Sequence, residues 1–112
     1  MTGAIVVLIN AESQEQALGI ARMLVEERLA ACANIISPIR SVYRWQGAVQ
    51  DESEHMMIVK TRAELFARLE ARVKEVHRYE VPEIIALPIV EGAKSYLDWV
   101  FESTDPIGRD KR

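Results

Sequence analysis

Apolar residues recur along this chain in two rhythms, and the points where one gives way to the other outline its elements. "AIVVLI" (Ala4 to Ile9) is an unbroken, mostly β-branched run, the pattern of a strand buried on both faces. Ser13, with Gln16 three residues on, has the spacing of a capping box, which satisfies the first free amides of a helix. Ala17, Leu18, Ala21, Leu24, Val25 and Leu29 then fall at helical spacing and predict one apolar stripe. From Ala31 to Trp45 the period returns to that of a strand, interrupted by Ser37-Pro38, where a bulge or bend is expected. "WQGAV" predicts a tight turn at Gln46-Gly47, followed by a second long strand from Val49 to Lys60.

Thr61 and Glu64 repeat the capping-box spacing, and Leu65, Phe66, Leu69, Val73 and Val76 form a second helical stripe. Pro82 opens a strand from Glu83 to Val90, and Val81 before it is held toward extended geometry. Gly92 breaks the chain before a last helix carrying Tyr96, Leu97, Val100 and Phe101. The order strand, helix, strand, strand, helix, strand, helix predicts an α+β, ferredoxin-like sandwich: βαββαβ plus a C-terminal helix, two helices on one face of an antiparallel sheet. Its second and fourth strands lie at the sheet edges, where Pro38 and Pro88 are tolerated because an edge amide has no ladder partner to lose. The expectation is one domain over residues 1–103, with 104–112 as a flexible tail.

The hairpin arms on either side of Gly47 are each about a dozen residues, roughly twice the usual strand length. A small sheet cannot cover arms that long. Tyr43, Trp45, Met57 and Val59 are therefore expected to face water unless another copy covers them, which predicts a homo-oligomer.

Composition narrows the partners. The 112 residues carry a formal charge of −3 and no block of lysines or arginines beyond the terminal "GRDKR", so phosphate-backbone binding has no electrostatic support. The apolar run near the N-terminus is too short to span a bilayer and lacks the basic flank of a signal peptide, so a cytoplasmic protein without a membrane partner is expected. Cys32 is the only cysteine, which excludes a disulfide within the chain; among its alanine neighbours it reads as a small buried hydrophobe.

Candidate chemistry is sparse. In "QDESEH" (Gln50 to His55), alternation sends Asp51, Ser53 and His55 to one face and Glu52 and Glu54 to the other, so the stretch reads as a solvated strand segment. Cys32 and Ser37 have no histidine near them in sequence, and the five glycines are scattered, so no nucleophile or phosphate cradle is expected and no catalytic residue is assigned. The stretch "HRYEVPE" is the densest cluster. His77 closes the second helix, where the negative end of the dipole favours a protonated ring. A neutral His77 is also a candidate metal ligand, with Glu80 and Glu83 as oxygen donors.

"LAACANIISPIRSVYRWQG", "DESEHMMIVKT", "HRYEVPEIIALPI" and "YLDWV" together closely resemble the CutA family of divalent-cation tolerance proteins, from Val6 to about Phe101. The resemblance implies a cytosolic ferredoxin-like protein that assembles as a homotrimer and binds divalent metal, copper included, without catalytic turnover. The family stretch His-Pro-Tyr-Glu-x-Pro-Glu is matched by His77, Tyr79, Glu80, Pro82 and Glu83, with Arg78 in place of the proline. Ile9 and Val76 stand where some members carry a cysteine and a second histidine. Tyr43, Lys60, Tyr79 and Glu83 also resemble family positions and could line a cleft between subunits. A lysine, two phenols and a carboxylate there would suit a small anionic or polar molecule, as in a trimeric sensor resembling the PII signalling proteins.

Overall fold

The computed structural model describes residues 1–105. Four strands, β1 (Ala4–Ala11), β2 (Cys32–Trp45), β3 (Ala48–Arg62) and β4 (Ile84–Pro88), form one antiparallel sheet in the order β2-β3-β1-β4. Helices α1 (Gln14–Glu26), α2 (Phe66–Val76) and α3 (Lys94–Ser103) complete the chain. The expected sandwich is present, with β2 and β4 at the edges and a proline in each.

One face of the sheet makes the core. Val7 and Ile9 of β1 and Met57 and Val59 of β3 are fully buried against Ala17 and Leu24 of α1 and Leu69 and Val73 of α2. Met57 and Val59 were expected on the open hairpin. They lie instead on the stretch of β3 paired with β1, at Ile9 and Val7, where the helices cover them. Of the α1 stripe, Ala17, Ala21 and Leu24 are buried together with Ile20, whereas Leu18 and Val25 remain exposed. On α2, Val76, the last residue of the helix, is also exposed.

Local signals account for most element boundaries. Ser13 caps α1, its Oγ accepting from the Gln16 amide at 3.0 Å. Gln46 (φ 50°) and Gly47 (φ 82°) both take positive φ, the geometry of a two-residue hairpin turn that matches strand twist. The β2–β3 register slips between Ile36 and Ile39, at the cis Ser37-Pro38 bond. Thr61 does not cap α2. It is still paired in β3, fully buried, and its hydroxyl donates to the Leu29 carbonyl at 2.8 Å; a short 3-10 turn, Ala63–Leu65, leads into the helix instead. A buried hydroxyl takes the nearest acceptor, and here that acceptor comes from the loop after α1.

Thr104, expected to begin the tail, is fully buried, with its Oγ1 donating to the Val100 carbonyl at 2.8 Å and accepting from Arg62 Nε at 3.0 Å. Residues 106–112 of that expected tail lie outside the described residues. Cys32 is half-buried, not buried: its Sγ sits 3.8 Å from the Tyr96 hydroxyl and 3.7 Å from Asn34 Oδ1.

The other face of the sheet is largely bare. Alternation places Val6 and Leu8 of β1, Ile58 of β3, Ile36 of β2 and Ile85 and Leu87 of β4 on it, in cross-strand rows such as Ile85–Leu8–Ile58. Ile36, Ile85 and Leu87 are about half exposed there. The hairpin projects beyond the covered sheet, stretching the molecule to 51 × 26 × 22 Å. Tyr43 and Trp45 are exposed on it as expected, and Val42 and Val49, both 65% exposed, extend that uncovered apolar surface.

Candidate functional site

The corner after α2 brings three parts of the chain onto Asn10, near the end of β1. His77 leaves the helix as its C-cap, and its ring Nε2 lies 2.6 Å from the Asn10 carbonyl oxygen. The Tyr79 amide donates to His77 Nδ1 at 3.0 Å. A carbonyl can only accept and an amide N–H can only donate, so these two bonds select the neutral tautomer with its proton on Nε2. The expected protonated ring is therefore not the form held here. Both ring nitrogens are occupied in positioning Tyr79, so His77 has no lone pair facing a metal. His77→Ala should lower stability by about 1–2 kcal/mol through the unpaired Asn10 carbonyl and Tyr79 amide, read as a drop in melting temperature.

Tyr79, once positioned, donates its hydroxyl to Glu54 Oε2 at 2.6 Å. Glu54 is only 6% exposed, which corrects its reading as part of a solvated strand. Asn10 Nδ2 lies 3.3 Å from both Glu54 Oε1 and Glu83 Oε1, so one amide group serves two carboxylates, from β3 and from the segment entering β4. Asn10 is 7% exposed, and its Oδ1 is buried with no hydrogen-bond donor. Burial, and secondarily the Glu54 charge, pushes the Glu83 carboxyl above the usual carboxylate range. Burial, then the hydrogen bond to Glu54, raises the Tyr79 phenol as well.

These groups form the inner wall of a cleft of about 830 Å³ that continues along the base of the hairpin past Ile39, Tyr43, Trp45 and Met56. The Tyr43 hydroxyl donates to Glu52 at 2.7 Å, an interaction that pushes its pKa up to about 12. Arg40 and Arg78 stand at the rim, paired with Asp51 (2.6 Å) and Glu12 (3.3 Å).

Of the four residues expected to share a cleft, the fold unites Tyr43, Tyr79 and Glu83. Within the single chain Lys60 does not line that cleft. It pairs with Val6 and Cys32 in the sheet and its ammonium donates to Asn34 Oδ1. Glu80 lines the cleft from an exposed position. Sequence reasoning missed Asn10 and the buried role of Glu54. The available signal was a polar residue, Asn10, ending an otherwise apolar strand that needs a reason to carry it. Among the described residues, no group of three or more His, Cys, Asp or Glu side chains is arranged to hold a metal ion. What the site offers is two carboxylates and an amide oxygen, all hard oxygen donors.

The model of the family described as "CutA1 divalent ion tolerance protein" matches residues 5–103. The chain belongs to the CutA1 family. The divalent-cation tolerance protein CutA of Thermus thermophilus is 54% identical over 99 residues, spanning 88% of this chain and 96% of that protein. The chloroplastic CutA of Arabidopsis thaliana is 46% identical over 101 residues, 90% of this chain and 56% of that longer protein. Among solved structures, the Thermus thermophilus Cut A1 protein superposes with a TM-score of 0.88 at 53% identity, covering 90% of this chain and 98% of that one. The periplasmic divalent cation tolerance protein CutA of Archaeoglobus fulgidus gives 0.89 at 44%, with 91% and 99% covered. The expected ferredoxin-like fold is thus the fold of CutA1 proteins, and family membership places this chain in divalent-cation tolerance.

Proposed function

We propose that this CutA1 protein works in the cytoplasm as a homotrimer that binds divalent cations without catalytic turnover, with the Asn10–Glu54–Glu83 cluster as the cation site. The observation that carries the reading is the convergence of two carboxylates, one of them buried, on a single amide whose own oxygen has no donor. Such a cluster lowers its free energy by gaining a positive charge. Copper is the metal implied by the family likeness. The donors are oxygens, so manganese, magnesium or calcium is served by the same set.

Assembly is supported by the bare apolar sheet face and by the exposed hairpin. Three is the number the family likeness implies. Sedimentation at micromolar concentration should give the mass of a trimer, and a stable monomer would overturn the reading. Calorimetric titration of the protein with copper and with manganese should show saturable binding that Glu83→Gln weakens about tenfold or more. Equal binding by wild type and variant would remove the cluster as the site.

The volume of the cleft favours a second reading. A space of about 830 Å³ walled by Tyr43, Trp45 and Tyr79 far exceeds one ion and has the size of small-molecule sites. On that reading the trimer senses an organic ligand, as PII-like proteins do.

A further inference from the structure

Within one chain Lys60 does not line the cleft, which changes the ligand chemistry that this chain's own residues offer there. Without that ammonium, the acceptors gathered around Asn10 are the carboxylates of Glu54 and Glu83 and its own Oδ1. Asn10 is more than nine-tenths buried, lines the cleft, and has a side-chain oxygen that receives no hydrogen bond, an uncommon state for a buried carbonyl. The donors already present leave much of the carboxylate capacity unused. Tyr79 takes one oxygen of Glu54, while the Asn10 amide reaches both carboxylates only at 3.3 Å. A carboxylate accepts at about four positions.

The surroundings favour a cation with a carbon chain. Tyr43, Trp45 and Tyr79 line the cleft with aromatic side chains and Ile39, Val42 and Met56 with aliphatic ones. The two guanidinium groups at the rim are committed to carboxylates of their own, Arg40 to Asp51 and Arg78 to Glu12. Glu80, also at the rim, adds negative charge, as does Glu52 beside Tyr43. An anion entering here would meet an acidic floor with no unpaired lysine on it.

We infer that the cleft recognises a primary alkylammonium, whose three N–H donors are taken by Glu54, Glu83 and Asn10 Oδ1 while its chain lies along the aromatic and aliphatic wall. An ammonium matches this set because it offers three donors and no acceptor. Charge-assisted bonds to a buried and a partly buried carboxylate also discriminate strongly against uncharged ligands of the same length. The inference rests on reading the cleft as a small-molecule site.

Three probes of equal length and different end charge test it on the whole protein by calorimetry: 1,5-diaminopentane, 1,5-pentanediol and glutarate. The diamine should bind, the diol and glutarate at least about tenfold more weakly, and Glu83→Gln should weaken the diamine about tenfold. The wild-type ranking of the three probes stands even if the variant folds poorly, and a melting curve reports whether it does. Equal or tighter binding of the diol or glutarate would overturn the ammonium assignment while keeping the small-molecule reading. If no probe binds at millimolar concentration while a divalent cation does, the small-molecule reading itself fails and the ammonium with it.

Discussion

Leu69→Ala should lower the unfolding free energy by about 2–5 kcal/mol, the range for truncating a buried leucine where the surroundings relax only partly. Leu69 is fully inaccessible in the middle of α2 and belongs to the core cluster with Val73, Met57 and Val59. The loss is large against a typical total of about 5–15 kcal/mol. It also reaches the candidate site, because α2 ends at His77 and His77 holds Tyr79 toward Glu54. Denaturant unfolding at matched protein concentration measures it. A change below about 1 kcal/mol would mean that the helix–sheet contact collapses around the gap, and that the corner is held by its polar bonds alone.

Ile85→Asp should convert the assembly to monomers. Ile85 is about half exposed in the single chain, on the sheet face away from α1 and α2, in a row with Leu8 and Ile58. If sister copies cover that face, the substitution buries an unpaired carboxylate at its centre, a penalty of several kcal/mol that apolar contact of this size does not offset. The isolated chain loses little, because the position is open to water and a β4 edge tolerates a charge. Sedimentation should therefore show the mass falling to one chain while far-ultraviolet dichroism is retained. A variant that keeps the wild-type mass would show that this face is not the interface.

Both substitutions separate kinds of information that the amino-acid order carries unequally. Elements were legible because their signals are local. The Ser13 cap, the Gln46-Gly47 turn and the helices α1 and α2 depend on neighbours within a few residues, and each is found where the pattern placed it. Strand order was legible from the βαββαβ order of elements, and Pro38 and Pro88 agree with it by lying on edge strands. Thr61 marks where that kind of reasoning stops: its spacing to Glu64 fits a cap, but a distant carbonyl, that of Leu29, claimed its hydroxyl.

Burial on the hairpin followed pairing, not strand length. The pattern identified long arms with apolar residues, yet Met57 and Val59 are core because β1 pairs with that part of β3 and the helices lie above it. Farther out, Val42 and Val49 have no such cover. The length of an arm is a property of the sequence, whereas its shelter depends on which other strand reaches that far.

For the candidate site, the amino-acid order by itself determined that a dense polar corner, "HRYEVPE", joins the second helix to an edge strand, and that Tyr43 lies on a long arm. Only the tertiary structure decided what the corner faces. It set Glu54 and Glu83 on either side of Asn10, residues 44 and 73 positions away along the chain. It turned both nitrogens of His77 inward and removed Lys60 to the opposite end of the sheet. The physical reason is range: caps and turns are settled by atoms a few bonds apart, while the sign of charge in a cleft depends on which strands lie side by side, and register settles that over the whole sheet.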